Sequence, residues 1–153
     1  MKQKRKRTIG RRDKADFPEF DLYDLGVKVD TGAYTSAIHC HHIEATRQDG
    51  QALIRFRLLD PSHPQYEAQV YATHDFEERL IKNSFGKSER RYVIQTRIVL
   101  FGKAYPISLS LSERGEMKYP VLLGRKLLQG RFVVDVAKYD LSFKKKQMPT
   151  AES

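Results

Sequence analysis

The chain has 153 residues, which suits one domain built around one hydrophobic core. Its hydrophobic fraction of 40% is typical of a globular protein and excludes an intrinsically disordered chain. The 28 Lys and Arg residues outnumber the 19 Asp and Glu residues, and the resulting formal charge of +9 attracts anionic partners such as nucleic acid, the ribosome or a carboxylate-rich peptide.

The compartment is suggested by what the sequence lacks. Its single cysteine, Cys40, cannot form a disulfide within the chain, which favours a reducing compartment. No apolar run approaches the length of a transmembrane helix, and the basic N-terminus is not followed by the apolar segment of a secretory signal. We therefore expect a cytoplasmic protein that does not contact a membrane.

Most of the chain has the alternating pattern of β-strands. Residues 1–7 are predicted to be a basic disordered arm and residues 144–153 a flexible tail, which leaves residues 8–143 as the folded domain. The predicted strands are, in order, residues 27–29, 36–45, 53–59, 67–72, 91–101, 105–111 and 132–136. Their spacing predicts an all-β barrel or sandwich with one short helix, at residues 124–130 between two glycines.

One long segment breaks this pattern. Residues 73–91 have a polar centre between two stretches of strand-like sequence. A polar excursion of this length is either a functional lid, over about residues 79–91, or a solvated hairpin. The pattern alone favours neither interpretation.

Two short motifs carry the chemistry. The first is the stretch VDTGAYTS, in which Asp30 follows a predicted strand. Gly32 lets the backbone approach the carboxylate, Thr31 offers a hydroxyl group, and Ala33 leaves room, as in the active-site loop of an aspartic protease. The same residues also make an ordinary turn. The second motif is VLLGR at residues 121–125, which alone is an ordinary junction between a strand and a helix.

In this order and at this separation, the two motifs resemble the retropepsin-like aspartic proteases. There, an Asp-Thr-Gly-Ala loop is followed, after a flap hairpin, by an apolar strand ending in Gly-Arg and a short helix. Over about residues 8–143 the chain resembles the family called ATP-dependent zinc proteases, or RimB-like proteins. The matching stretches are residues 8–12, 28–39, 89–94, 117–125 and 130–135. The resemblance implies a closed retropepsin-like acid-protease barrel with one short C-terminal helix.

The resemblance also implies an activity. Asp30, Thr31 and Gly32 would be catalytic, and because one chain carries a single Asp-Thr-Gly, the enzyme would be a homodimer with Asp30 from each subunit at the symmetry axis. The paired carboxylates would share one proton and activate a water molecule. The sequence contains neither a Gly-rich phosphate loop for ATP nor a zincin helix, so we expect no cofactor.

The expected substrate follows from the family's association with an ATP-grasp glutamate ligase that adds glutamates to a ribosomal protein. The implied role is trimming of such glutamate tails, with the glutamylated ribosomal protein and the ligase as partners. Guanidinium groups bind carboxylates in a bidentate manner. The candidates for substrate binding are Ala33, His39, Arg90, Arg91, Arg114 and Arg125.

The sequence departs from the viral-type proteases at one position of the loop. Those proteases carry an Asp after the Ala of the loop, and this Asp pairs with the Arg of Gly-Arg. Tyr34 occupies that position here. Arg125 must therefore have another partner, and the alternatives are Asp135, Asp140 or a carboxylate of the substrate.

The run HCHH at residues 39–42 supports a second hypothesis, a zinc-dependent hydrolase. On a strand, His39 and His41 share one face, and the other two residues share the opposite face. A zinc site needs three or four protein ligands, so His63, His74 or a second subunit would have to complete it. A third hypothesis is a non-catalytic module that binds the ribosome or RNA through its basic residues, and a fourth is a protease-like fold without activity.

Overall fold

The computed structural model describes residues 5–82, 85–113 and 118–148. Within these ranges the elements are, in order, β1 (Arg7–Ile9), β2 (Arg12–Phe17), a 3-10 turn (Pro18–Phe20), β3 (Leu22–Val29), β4 (Ser36–Gln48), β5 (Gln51–Leu58), β6 (Tyr71–Thr73), β7 (Phe76–Lys82), β8 (Ser88–Leu100), β9 (Lys103–Ser112), β10 (Val121–Leu123), α1 (Arg125–Leu128), β11 (Phe132–Val134) and α2 (Leu141–Gln147). The predicted all-β class is confirmed. Neither helix in this part of the chain combines the length and the apolar character needed to cross a bilayer.

Six strands pair edge to edge in a closed ring. The order is β3, β2, β8, β9, β4 and β10, and β10 pairs again with β3. Strands β5 and β6 extend the sheet from β4, β7 pairs with β8, and β1 and β11 form a separate parallel pair. The interior of the ring is filled by aliphatic and aromatic side chains, and those with no exposed surface include Phe17, Leu25, Ile38, Ile98, Leu109 and Leu123. Burying each such side chain contributes about 1.5–3 kcal/mol.

The position of β10 dictates the path of the loop around Asp30. Strand β10 pairs in parallel with the end of β3 and antiparallel with the start of β4. The loop of residues 30–35 joins β3 to β4, so it must cross the carboxyl end of β10, where Gly124 follows Leu123. The two motifs found in the sequence therefore meet in space.

The predicted short helix at residues 124–130 is present as α1, and the chain forms a second helix, α2, that was not predicted. Lys144, with which the predicted flexible tail began, lies inside α2, whereas residues 149–153 lie outside the described residues. At the other end, Arg7 pairs with Phe132 in the parallel β1–β11 pair instead of belonging to a disordered arm. Residues 1–4 also lie outside the described ranges.

Several strand assignments also differ from the prediction, and β1 and β7 were not predicted as strands. Only Tyr71–Thr73 of the region around residues 67–72 forms a strand, β6. Strand β2 was not predicted, because its inward-facing side chains are Asp13, Ala15 and Phe17, and a carboxylate at the first of these positions interrupts the apolar pattern.

Asp13 is buried because it holds the start of α2. Its side chain accepts hydrogen bonds from the backbone N–H groups of Ser142 (2.9 Å) and Phe143 (3.1 Å), and from that of its neighbour Lys14 (2.8 Å). Burial raises the pKa of Asp13, and these three hydrogen bonds counteract the rise. A carboxylate from a distant strand thus satisfies donors that a helix leaves unpaired at its first turn.

We expect Asp13→Ala to lower the free energy of unfolding by about 2 kcal/mol, because two buried N–H groups of α2 lose their acceptor. Hydrogen exchange of the α2 amides should accelerate more than that of the ring strands. Chemical denaturation and hydrogen exchange measured by mass spectrometry check both effects. Asp75→Ala, which removes an exposed loop carboxylate, is the control. Unchanged protection of α2 would show that Asp13 does not anchor it.

Candidate active site

Asp30 lies half-buried at the carboxyl end of β3. Its backbone N–H donates to the carbonyl of Leu123 (2.9 Å), which fixes the start of the loop against β10. Its side-chain Oδ1 accepts a hydrogen bond from the N–H of Gly32 (3.0 Å). Among the described residues, Oδ2 has no hydrogen-bond partner. The carboxylate is therefore oriented through one oxygen, and its second oxygen is available to another group.

Gly32 approaches the carboxylate closely. A Cβ atom added at this position would lie 3.3 Å from Oδ1 of Asp30, which is tighter than nine in ten Cβ contacts in proteins. A larger residue would require the carboxylate to shift by a few tenths of an ångström relative to the N–H group that orients it. Thr31 and Gly32 are both exposed in the single chain, and Ala33 is half-buried beside them.

The start of α1 supports the loop of residues 30–35 through backbone hydrogen bonds. The backbone N–H groups of Arg125 and Lys126 donate to the carbonyls of Ala33 and Tyr34, respectively, and each hydrogen bond is 2.9 Å long. These N–H groups belong to the first turn of the helix, where no carbonyl of the helix itself can accept them. The loop thus supplies the acceptors that the helix start needs, and the helix start fixes the loop.

Gly124 allows the helix to approach this closely. Its N–H donates to Oγ of Ser36 (3.0 Å), and a Cβ atom added to it would lie only 2.5 Å from the carbonyl oxygen of Tyr34. The nearest atoms all belong to backbone, so no side chain could move aside. The Gly of the Gly-Arg motif is therefore needed for the packing of one backbone against another.

Arg125 binds the loop and not a distant carboxylate. Its Nη1 donates to the carbonyl of Thr31 (2.9 Å), and its guanidinium group lies 5.8 Å from the centre of the Tyr34 ring. Neither Asp135 nor Asp140, the alternatives considered from the sequence, is among its partners in the described part of the chain. The contact with Tyr34 lies within the distance range of cation–π interactions, so the guanidinium group of Arg125 lies beside a ring and a backbone carbonyl of the loop.

The segment that the sequence left open between a lid and a hairpin is a two-stranded hairpin. Residues 76–82 of β7 pair antiparallel with residues 88–94 of β8; residues 83 and 84 lie outside the described ranges. One face of this flap hairpin continues the face of β8 on which the start of α1 lies, because Gln95 of β8 accepts from Ser108 (2.9 Å) and Ser108 accepts from Lys126 of α1 (3.1 Å). The hydrogen bond between Arg79 and Glu77 raises the pKa of Arg79 and lowers that of Glu77.

The arginines selected from the sequence are distributed over different parts of the molecule. Arg91 lies in the flap hairpin, and its side chain is 14% exposed. Its guanidinium group binds the carboxylate of Glu89 at a distance of 2.7 Å. Arg90 points to the opposite face, and its side chain is 79% exposed. Arg114 lies outside the described residues. Arg79, on the same face as Arg91, was missed, because its relation to Arg91 is visible only once the segment is recognised as a hairpin.

His39 lies away from the loop. Its backbone N–H donates to Pro120, at the opposite end of β10 from the Leu123 contact of Asp30. This separation corresponds to three residues of strand, or about 10 Å. The nearly buried ring binds the carboxylate of Asp60 through Nε2 (3.3 Å) and, with His63, lines a cavity of about 330 Å³. The geometry of the single chain does not bring His39 to Asp30.

The residues of the zinc hypothesis do not form a ligand set. No group of three or more His, Cys, Asp and Glu side chains in the described part of the chain could hold a metal ion. His41 binds the carbonyl of Leu59 through Nδ1 (2.7 Å) and the hydroxyl of Tyr66 through Nε2 (3.3 Å). The Cys40 thiol lies in the hydrophobic core, where burial raises its pKa to about 12. The histidines are engaged in other contacts, and the site does not fit zinc.

Comparison with known proteins supports one family. Residues 8–145 match the model of the family described as RimB-like, retropepsin-like aspartic endopeptidase RimB. This description contains neither ATP nor zinc, so the wording "ATP-dependent zinc protease" is not supported.

Two curated relatives are described as "Probable alpha-L-glutamate ligase". The chain is 35% identical to the protein of Desulfotalea psychrophila over 86% of its own length, and 33% identical to that of Shewanella pealeana over 83%. It spans only 28% of the length of each of these relatives. A crystal structure of a Legionella pneumophila protein of unknown function superposes with a TM-score of 0.65 and 25% identity, covering 89% of this chain and 98% of that one.

Proposed function

Since the chain belongs to the RimB-like family of retropepsin-like aspartic endopeptidases, we propose that it is an aspartic-type peptidase with Asp30 from each of two identical subunits as its catalytic pair. The observation that carries this proposal is the Asp30 loop itself. One carboxylate oxygen is fixed by Gly32, and the other has no partner among the described residues. A second carboxylate is needed for the chemistry, and the chain has no second Asp-Thr-Gly to supply it.

In the proposed mechanism the two carboxylates share one proton, because two neighbouring carboxylates do not both ionise at low cost. The ionised Asp30 takes a proton from a water molecule, whose oxygen attacks the carbonyl carbon of the peptide bond. The protonated Asp30 of the other subunit donates to the carbonyl oxygen. When the tetrahedral intermediate breaks down, the C–N bond breaks and the amine leaves with the proton that came from the water. A hydroxyl group of the intermediate returns its proton to the other Asp30 as the C=O bond re-forms, which restores the pair. No covalent bond to the enzyme is formed.

Thr31, Gly32 and Ala33 position this pair in the proposal. Gly32 orients Oδ1 directly, and Ala33 accepts the N–H of Arg125 that ties the loop to α1. The carbonyl of Thr31 accepts a hydrogen bond from the side chain of Arg125. Arg125 is therefore proposed as a positioning residue and not as a direct ligand of the substrate. Catalytic geometry tolerates small displacements poorly, which makes such a braced loop useful.

The proposed substrate is a glutamate-rich tail. Supporting this are the formal charge of +9, the arginines of the flap hairpin, and relatives that are described as glutamate ligases and contain a segment like this chain within a longer protein. A hydrolase next to a ligase of the same product could reverse or trim the modification. We propose a glutamylated ribosomal protein as the physiological substrate, the ligase as a partner and the cytoplasm as the compartment.

The test is incubation of the purified chain with a peptide that ends in several glutamates, followed by mass spectrometry of the products. We expect cleavage within the glutamate tail, no cleavage of a glutamine peptide of equal length, and the same rate after treatment with a chelator. Loss of cleavage with the chelator alone would favour the zinc hypothesis. Equal cleavage of both peptides would contradict the proposed substrate.

A further inference from the structure

Two arginines lie side by side on the flap hairpin. Arg79 of β7 and Arg91 of β8 are directly opposite each other in the antiparallel register. Directly opposite residues of an antiparallel pair have their side chains on the same face of the sheet. Two like charges in this position repel each other, so the arrangement is unfavourable unless something neutralises it.

Each arginine is neutralised by a glutamate two positions earlier on its own strand. Arg79 binds both carboxylate oxygens of Glu77, with Nε at 3.0 Å and Nη2 at 2.6 Å. Arg91 binds one oxygen of Glu89 through Nε at 3.2 Å and Nη2 at 2.7 Å. Residues two apart on a strand share a face, so two guanidinium groups and two carboxylates cover one face of the hairpin.

This face lies toward the proposed catalytic loop. Lys126 at the start of α1 donates to Oγ of Ser108 (3.1 Å), and Ser108 in turn donates to Gln95 of β8 (2.9 Å). Gln95 and Arg91 are four positions apart on β8, so their side chains share a face of the strand. The start of α1, which also binds the carbonyls of Ala33 and Tyr34, therefore lies on the side of the sheet to which the two arginines point.

We propose that Arg79 and Arg91 form a carboxylate-binding subsite, in which Glu77 and Glu89 occupy the guanidinium groups until carboxylates of an acidic substrate replace them. The inference rests on the proposed peptidase function, since it assigns a substrate subsite to that peptidase. A substrate carboxylate can offer Arg79 the same bidentate geometry as Glu77 and can likewise accept from Nε and Nη2 of Arg91, so the exchange replaces one charge-assisted contact with another. A neutral peptide cannot replace the glutamates, which makes the site selective by exclusion.

The opposite face of the hairpin provides a contrast. Arg90 is opposite Leu80 in the register, its side chain is 79% exposed, and its contact with Glu78 is longer, at 3.5 Å. Exposed pairs of this kind contribute little to binding or stability. The inference therefore distinguishes two neighbouring residues: Arg91 contributes to binding, and Arg90 does not.

The experiment measures binding of a fluorescent five-glutamate peptide by anisotropy, in an Asp30→Asn background so that cleavage does not interfere. Arg79→Gln is expected to raise the dissociation constant about tenfold or more, since it removes a charge-assisted bidentate contact. Glu77→Gln is expected to lower it, because the resident carboxylate no longer competes. Arg90→Gln should have little effect, and Arg47→Gln, in the distant β4–β5 turn, is the matched control.

The gain expected from Glu77→Gln protects the test against misfolding, because a poorly folded variant does not bind more tightly. Weaker binding by Glu77→Gln, equal binding by Arg79→Gln, or no binding of the peptide in any variant would overturn the subsite. The outcome is separate from that of the peptidase proposal. If binding depends on Arg79 but the wild-type chain does not cleave the peptide, the subsite is retained and the peptidase function is rejected. If the chain cleaves the peptide and Arg79→Gln leaves cleavage unaffected, the peptidase function is retained and the subsite is rejected.

Discussion

Replacing Asp30 with Asn is expected to reduce hydrolysis of an acidic peptide by about 10³-fold or more, the range lost when a general acid–base group is removed. Both subunits of this variant carry the amide, which can neither take a proton from water nor donate one to the carbonyl oxygen as an acid. Its oxygen can still accept the N–H of Gly32, so the loop should keep its conformation. Initial rates from chromatography, together with thermal unfolding of both proteins, check the two expectations.

The control is Asp75→Asn, which makes the same chemical change at an exposed loop position. Its rate should match that of the wild type. Undiminished cleavage by Asp30→Asn would contradict the aspartic mechanism, and equal loss in both variants would show that the assay reports stability and not catalysis.

Replacing Gly124 with Ala should destabilise the protein and remove its activity together. The added Cβ would lie 2.5 Å from the carbonyl oxygen of Tyr34, 2.8 Å from its carbonyl carbon and 2.9 Å from that of Thr35. These are backbone atoms, so relief requires the loop to move away from α1. We expect the free energy of unfolding to fall by about 3 kcal/mol or more, as for other severe overpacking, and chemical denaturation with rate measurements on the folded fraction checks this.

Gly26→Ala is the matched control for that variant. A Cβ at Gly26 would meet Tyr119 at 3.7 Å, which is an ordinary contact, and the backbone there is not in the left-handed region. We expect a change in stability of less than about 1 kcal/mol and unaltered activity. If both variants behaved alike, the tight approach between Gly124 and the loop would not be what supports the site.

The sequence alone was sufficient for the elements closest to the site. The alternation before Asp30, the VLLGR motif and the glycines around α1 all reflect local backbone requirements, and the structure has β3, β10 and α1 at these places. In contrast, β2 and α2 depend on each other through Asp13, which belongs to one and caps the other. A contact over this sequence distance leaves no local periodicity, which is why both elements were missed.

The same reasoning explains what was missed at the candidate site. Arg125 was selected from the sequence as a candidate for substrate binding, but its partners in the described part of the chain are a backbone carbonyl and the ring of Tyr34, neither of which a charge-based search would select. Arg90 and Arg91 are neighbours in sequence, and only the strand assignment separates their faces. Arg79 is related to Arg91 only through the register of the hairpin, which alternation along a single strand does not fix.

The most direct test of the account is a subunit-mixing measurement, because its central claim is that one active site uses Asp30 from two chains. Wild-type and Asp30→Asn chains are unfolded together, refolded at a fixed total concentration in varying ratios, and assayed with the glutamate peptide. The account predicts that the rate follows the square of the wild-type fraction, so that an equal mixture gives about one quarter of the full rate. A linear decrease, with about half of the rate in the equal mixture, would show that each chain carries a complete site and would contradict the shared catalytic pair.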